Sequence, residues 1–299
     1  MQLYPAHAAD ALEFNKIQQL LAEKCRTDDA RRYVADIRFH TRIEYVRQVL
    51  TETHEFLSIL GSSDHFPNDF TNNIRQELKL LAVTGSVLGA DQLLVFLKLA
   101  YNMRDILLWF KRHNGLYPSL WTIAAQTNYH KEIAAIISAV IDPAGQVRDN
   151  ASRALMQIRS DMAARRQEIR KVFDQVLRKL GRQGYLADIA EGFLNGRRTV
   201  AINAEHKRVV KGILHGESDS QRIVFIEPEE TIHLNNDLSS LEQAEQKELH
   251  RILSEATAAL SAWLPQLKQY YYLCGVYDFI RARALLAADM DARMPLLSP

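Results

Sequence analysis

A chain of 299 residues, 47% hydrophobic and 24% charged, has ordinary globular composition and enough apolar residues for a sizeable core in one large domain or two modest ones. Its 37 lysines and arginines against 36 aspartates and glutamates leave a formal net charge of +1, which excludes a whole-molecule field for nucleic acid and confines any such contact to local charge. The cysteines, Cys25 and Cys274, lie far apart without a CxxC pair, which argues against a disulfide framework or a zinc ribbon and reads as two reduced thiols.

The start, Met1-Gln2-Leu3-Tyr4-Pro5, lacks a basic segment before an apolar run, so no secretory signal is expected. From Ala11 to Cys25, Phe14, Ile17, Leu20 and Leu21 fall at helical spacing, and Ile43 to Leu60 repeats the pattern. Gly61-Ser62-Ser63 and Pro67-Asn68-Asp69 then mark turns before a short helix over Ile74 to Leu81. Asp91 is expected to cap an apolar helix running to about His113. Its most apolar part, Leu93 to Phe110, is interrupted by Lys98, Asn102, Arg104 and Asp105, so it reads as a buried helix rather than a membrane span. The expectation is a cytoplasmic protein with no membrane contact.

A further helix is expected over His130 to Val140, followed by the turn Asp142-Pro143-Ala144-Gly145. From about Ser152 to Lys179 there is no Gly or Pro, and a helix of that length reaches on the order of 40 Å. Gly181 to Gly184 changes the texture: Thr199 to Ile202, Val209-Val210, Ile213-Leu214 and Ile223 to Ile226 favour strands, with Asn195-Gly196 as a hairpin turn. After Pro228 a helical pattern runs from Leu234 through Leu260 to a break before Pro265. A long helix out, a β-rich insertion and a long helix back make a helical hairpin with a tip. The closing segment, with Tyr270-Tyr271-Tyr272, Tyr277 and Phe279, reads as core packed onto the first half rather than as a base-stacking platform.

Several stretches resemble the second type of bacterial MutS-like protein, the MutS paralogue. They are Leu12-Glu13-Phe14-Asn15-Lys16-Ile17, Gly85-Ser86-Val87-Leu88 before Asp91-Gln92-Leu93-Leu94, and Val147-Arg148-Asp149-Asn150-Ala151-Ser152. Next come Leu194-Asn195-Gly196-Arg197-Arg198, Gly212-Ile213-Leu214-His215, and Phe225-Ile226-Glu227-Pro228 followed by Leu234-Asn235-Asn236. The resemblance implies a mainly α fold: a helical core with a long antiparallel lever-helix hairpin carrying a small β-rich clamp at its tip. The corresponding parts are a core over 1–146, an outgoing lever helix over 147–181, a clamp over 182–234, a returning helix over 235–264, and a helical return over 265–299. The resemblance also implies a dimerising ATPase domain that drives the clamp, a homodimer at full length, and a role in DNA repair or recombination through branched or duplex DNA. Some members of the family split collided ribosomes, so an arm contacting a ribosome or a protein partner is the alternative. The sequence departs from the family at Gly216, where Asp is usual, at Gln221, where Gly is usual, and at Asn203, where Lys is common.

Phosphate-loop ATP hydrolysis needs a Gly-rich loop with a Lys followed by Ser or Thr. No Lys here is so followed, so the chain is expected to lack catalytic residues and cofactors of its own, with ATP and Mg confined to an ATPase domain outside residues 1–299. No His pair has HExxH spacing, so no metal site is expected. His206, His215 and His233 read as surface or turn histidines, with His215 able to fix a turn by hydrogen bonding.

Arg153, Arg159, Arg165, Arg166, Arg170, Lys171, Arg178, Lys179 and Arg182 outnumber Asp161, Glu168 and Asp174 on the outgoing helix. Either they form a phosphate-binding stripe, or they pair with the acid-rich returning helix through Asp237, Glu242, Glu245, Glu248 and Glu255; pairing is the preferred reading. In the β-rich part, Arg197, Arg198, Lys207, Arg208 and Lys211 are the candidate nucleic-acid-binding residues, making sequence-independent, salt-sensitive phosphate contacts, with plain solvation of the five cations as the alternative. Phe225-Ile226-Glu227 spells the Phe-x-Glu of mismatch readers but reads as structural, within a strand ending at Pro228.

Overall fold

The computed structural model describes residues 8–194 and 196–297, which are mainly helical with one small four-stranded antiparallel sheet. In chain order the helices are α1 (Ala8–Ala11), α2 (Phe14–Lys24), α3 (Asp28–Ala35), α4 (Ile43–Leu60), α5 (Arg75–Leu81), α6 (Ala90–Arg112), α7 (Pro118–Ala124) and α8 (Lys131–Val140). They continue with α9 (Arg153–Arg182), α10 (Glu229–Ser261) and α11 (Leu264–Asp289). The strands are β1 (Leu186–Leu194), β2 (Arg197–Asn203), β3 (Gly212–Glu217) and β4 (Ile223–Pro228). Two compact units result, one built from residues up to Val147 together with those from Leu253 onward, the other from Arg148–Ile252. No helix among the described residues is long and apolar enough to cross a membrane.

In the first unit, α6 buries Leu93, Phe96, Leu99, Met103 and Ile106 along one stripe. The residue that caps the helix is Gly89 rather than Asp91: the Gly89 N–H donates to Gln92 Oε1 at 2.9 Å, which leaves Asp91 in the first turn. The side chain of Phe66 sits among the rings of Phe56, Trp109, Phe110 and Tyr277, with centroids 5.1 to 5.7 Å away. The aromatic segment of α11 is core, as expected, with Tyr270 and Tyr277 fully buried and only Tyr272 half exposed. Their hydroxyls donate to Asn128 O at 2.7 Å and Leu120 O at 3.0 Å, so each ring contributes roughly 2–3 kcal/mol of burial without stranding a polar group. Both cysteines are free and buried, and desolvation pushes the Cys25 thiol up to about 11 and the Cys274 thiol up to about 12.

Two short helices of this unit, α3 and α7, are not among the elements expected from the sequence. Half of helix α3 is charged; its start is made by Thr27, whose Oγ1 accepts from Ala30 N at 3.1 Å, and buried Asp278 of α11 accepts from the Arg26 and Thr27 amides at 2.8 and 2.7 Å. Helix α7 opens on Pro118, and its next two amides, Ser119 and Leu120, are bound by the buried Glu55 carboxylate at 3.0 and 2.9 Å. A distant acid therefore caps α7, and no local signal reveals it.

In the second unit, Ser152 caps α9 by accepting from Leu155 N at 2.9 Å. One stripe of α9 is buried, comprising Leu155, Met162, Ile169, Phe173, Val176 and Leu180, and the helix runs through Gly181 before Gly184 turns the chain at φ 73°. The opposite charges of α9 and α10 meet: Arg159 Nε lies 2.7 Å from Glu245, Arg166 3.4 Å from Glu242, Arg165 3.4 Å from Asp237, and Lys179 3.8 Å from Glu230. The start of α9 (Arg159) meets the later part of α10 (Glu245) and the end of α9 (Lys179) meets the start of α10 (Glu230), so the two segments run antiparallel. The preferred charge reading of α9 holds for these four cations.

The strand order is β1-β2-β4-β3, every neighbouring pair antiparallel. Val200, Ile202, Val224 and Ile226 face Phe173, Val176 and Leu180 of α9 to make this unit's core. Leu194 pairs with Arg197 across positions 195–196, where Gly196 has φ 75°; Asn195 of the expected hairpin turn lies outside the described residues. Strand β1 escapes pattern reading because Asp188, Glu191 and Gly192 interrupt its alternation and a bulge shifts its register. The Val209-Val210 run is not a strand. The Val209 and Val210 amides both bond to His206 O, at 2.9 and 3.2 Å, in a turning connection that sends Val210 toward the core and leaves Val209 exposed.

At Gln221, where the family resemblance leads one to expect Gly, the backbone has φ 55°, in a turn closed by Gln221 N to Ser218 O at 2.8 Å. A side chain in left-handed backbone costs about 1 kcal/mol. Gln221→Gly is therefore expected to raise stability by about 0.5–1 kcal/mol in urea unfolding, and an unchanged or lowered midpoint would contradict the assigned strain.

Candidate nucleic-acid interface

The structure disperses the five candidate cations rather than gathering them. Arg197 begins β2 and is spent internally: its Nη1 donates to Glu227 Oε1 at 2.7 Å and its Nη2 to Asn236 Oδ1 at 2.8 Å. Arg198 faces the opposite side of the sheet, where its guanidinium lies 4.3 Å over the Phe173 ring, its Nε donates to Glu191 at 2.8 Å, and Asp174 stands 3.5 Å away. Lys207 is exposed and bonds Glu217 at 2.5 Å. Arg208 and Lys211 are exposed and form no ion pair among the described residues.

Arg222 joins them. It is exposed, has no ion pair among the described residues, and its carbonyl accepts from Ala204 N at 2.9 Å, which sets it against the connection bearing Lys207 and Arg208. Sequence reading does not single it out, since it is a lone cation with no basic neighbour in the chain. Between residues 182 and 234 carboxylates are at least as numerous as cations, so the sheet carries no overall positive surplus and its contact chemistry rests on which cations remain unpaired.

The structural anchor of the sheet is Glu227. Its carboxylate is fully buried and accepts from Arg197 at 2.7 Å and Asn235 at 2.8 Å on Oε1, and from His215 Nε2 at 2.9 Å on Oε2. Since a carboxylate only accepts, Nε2 carries the proton in this pair. Burial by itself raises the carboxyl pKa, but the bonds from His215, Asn235 and Arg197, with the Arg197 charge, outweigh it and hold Glu227 below its ordinary value. His215 sits in β3, at a register shift, rather than in a turn, and its hydrogen bond ties β3 to β4, while the Glu of Phe225-Ile226-Glu227 is fully engaged inside the fold. Phe225 packs over Gly192, where a Cβ would stand 2.9 Å from its ring.

No protein-family model matches the chain. It is similar to proteins named endonuclease MutS2: 27% identical over 289 residues to that of Listeria welshimeri, 25% over 291 residues to that of Aquifex aeolicus, and 29% over 290 residues to that of Pelotomaculum thermopropionicum. These alignments cover 95% to 97% of this chain and 37% of each relative, so the chain spans little more than a third of the length of the curated relatives it matches. The chain is thus related, over nearly all its length, to a region of the MutS2 proteins.

Proposed function

We propose that this chain is the DNA-engaging lever and clamp region of a MutS2-related protein, with α9 and α10 as the lever and the four-stranded sheet as the clamp. In this reading ATP hydrolysis, magnesium binding and homodimerisation belong to parts of such a protein other than these residues. The observation that carries the DNA contact is the division of the cations. Four cations of α9 are neutralised across the helix pair, whereas Arg208, Lys211 and Arg222 stand exposed at the connections of the sheet without a carboxylate partner among the described residues, as do Arg153, Arg170, Lys171, Arg178 and Arg182 of α9. Unpaired cations on loops suit phosphates of any sequence.

Reversing Arg208, Lys211 and Arg222 to Glu together is expected to weaken binding to a four-way junction and to duplex DNA about tenfold or more at low salt. It should also flatten the salt dependence, since each lost phosphate contact removes about one unit of slope. Fluorescence anisotropy across a salt series measures both, and affinity unchanged by the triple reversal sinks the proposal.

A second reading rests on β1, an edge strand that exposes Ile189 and Phe193. Exposed apolar residues on an unpaired edge suit a protein partner, including one on a ribosome. Ribosome co-sedimentation lost on Ile189→Lys and Phe193→Lys, with DNA affinity intact, would favour it.

A further inference from the structure

The helical unit contains a groove of about 540 Å³ that the proposed DNA contact does not use, formed by α3, α5 and α11. That volume is within the range of small-ligand sites. Its walls carry Arg32, Arg75, Lys79 and Lys268, together with Tyr271 and Tyr272. One carboxylate lines it, the buried Asp29, and Arg75 is ion-paired to that acid. Asp28, at the neighbouring position, is taken by Arg31 at 2.9 Å and Asn73 at 2.9 Å.

Arg32, Lys79 and Lys268 are exposed and form no ion pair among the described residues. Within the Arg75–Asp29 pair, Arg75 Nε and Asp29 Oδ2 are both buried without a hydrogen-bond partner among them. The groove is set by a close approach of α3 and α11: a Cβ on Gly275 would stand 3.0 Å from Asp29 Cβ and 3.4 Å from the Tyr33 ring. Three exposed cations from three helices, with a buried guanidinium N–H beside them, line a groove that an anion would neutralise.

We propose that this groove binds a phosphorylated nucleotide, with its phosphate held by Arg32, Lys79 and Lys268 and its base laid against the tyrosine wall. Charge-assisted hydrogen bonds suit the phosphate, and the flat faces of Tyr271 and Tyr272 suit any base. The inference goes beyond the DNA contact assigned to the sheet and does not depend on it, because none of its residues lies in Arg148–Ile252.

Calorimetry on the 299-residue chain with AMP, 5′-phosphorylated hexathymidylate and inorganic phosphate tests it. One saturable site for AMP or the hexamer is expected, weakened about tenfold or more by Lys79→Glu with Lys268→Glu, and to a lesser degree by the milder Lys79→Gln with Lys268→Gln. Both positions are exposed, and an unchanged thermal midpoint would show that the fold is kept. AMP binding as tightly as the hexamer identifies a free nucleotide as the ligand, and a hexamer about tenfold tighter identifies a strand end. The inference is overturned if neither nucleotide binds, if phosphate binds as tightly as AMP, or if the lysine variants bind as the parent does. It is also overturned if Arg208→Glu with Lys211→Glu abolishes the signal, which would assign binding to the sheet.

Discussion

Gly212→Ala is expected to lower the stability of the sheet-bearing unit by about 3 kcal/mol, the largest effect of any single methyl added to this chain. Gly212 has φ 154°, and a Cβ there would stand 2.1 Å from Glu227 O and 2.6 Å from Ile226 Cγ2. The carbonyl cannot simply retreat, because it belongs to the β3–β4 ladder, in which Gly212 pairs with Pro228 and Ile213 with Glu227. Relief must come from parting the strands, which exposes Ile226 of the core. Gly216 on the same strand is the control: its added Cβ would meet only Leu194 Cδ1 at 3.6 Å, an ordinary contact, so Gly216→Ala should be nearly neutral. Hydrogen exchange of the β3 and β4 amides resolves the two, and equal protection in both variants would refute the argument.

The second large effect lies at Glu227. Glu227→Ala removes the acceptor for Arg197, His215 and Asn235 at once, leaving three half-buried donors facing a void, and is expected to cost about 3 kcal/mol. Glu227→Gln keeps one carbonyl acceptor and the side-chain volume, so its cost should be smaller, about 1–2 kcal/mol. The pair also predicts a pH dependence. Because the folded carboxyl is held below its ordinary value of 4.5, its contribution is fully present above that value and is lost as pH falls through the depressed folded value. Urea unfolding between pH 7 and pH 3 should show the parent losing this increment on acidification while the Gln variant lacks it. An identical acid loss in the two proteins would show that Glu227 does not carry it.

Arg197 shows why these effects were not legible beforehand. By sequence it stands beside Arg198 after a turn, and the two read as one basic doublet. Their side chains leave a strand on opposite faces, so one meets Glu227 and Asn236 while the other meets Phe173 and Glu191. Glu55 makes the same point for structure: it lies on α4 yet caps α7 by holding the amides of Ser119 and Leu120. By contrast, the long course of α9 follows from local facts: an unbroken run of helix formers, a Ser at its start, and an apolar stripe on one side.

The sequence by itself determined the mainly helical class, the change from helical to strand-favouring texture before β2 and back after Pro228, and the acid-rich helix that neutralises part of α9. Those are properties of spacing and of charge summed along an element, and they survive any detail of packing. Tertiary structure alone decided which cations stay free, because a charge is neutralised by what lies within about 4 Å of it, and that distance is set between strands and helices remote in the chain. Arg208, Lys211 and Arg222 were left unpaired by that process, as were Arg32, Lys79 and Lys268 in the groove between α3, α5 and α11.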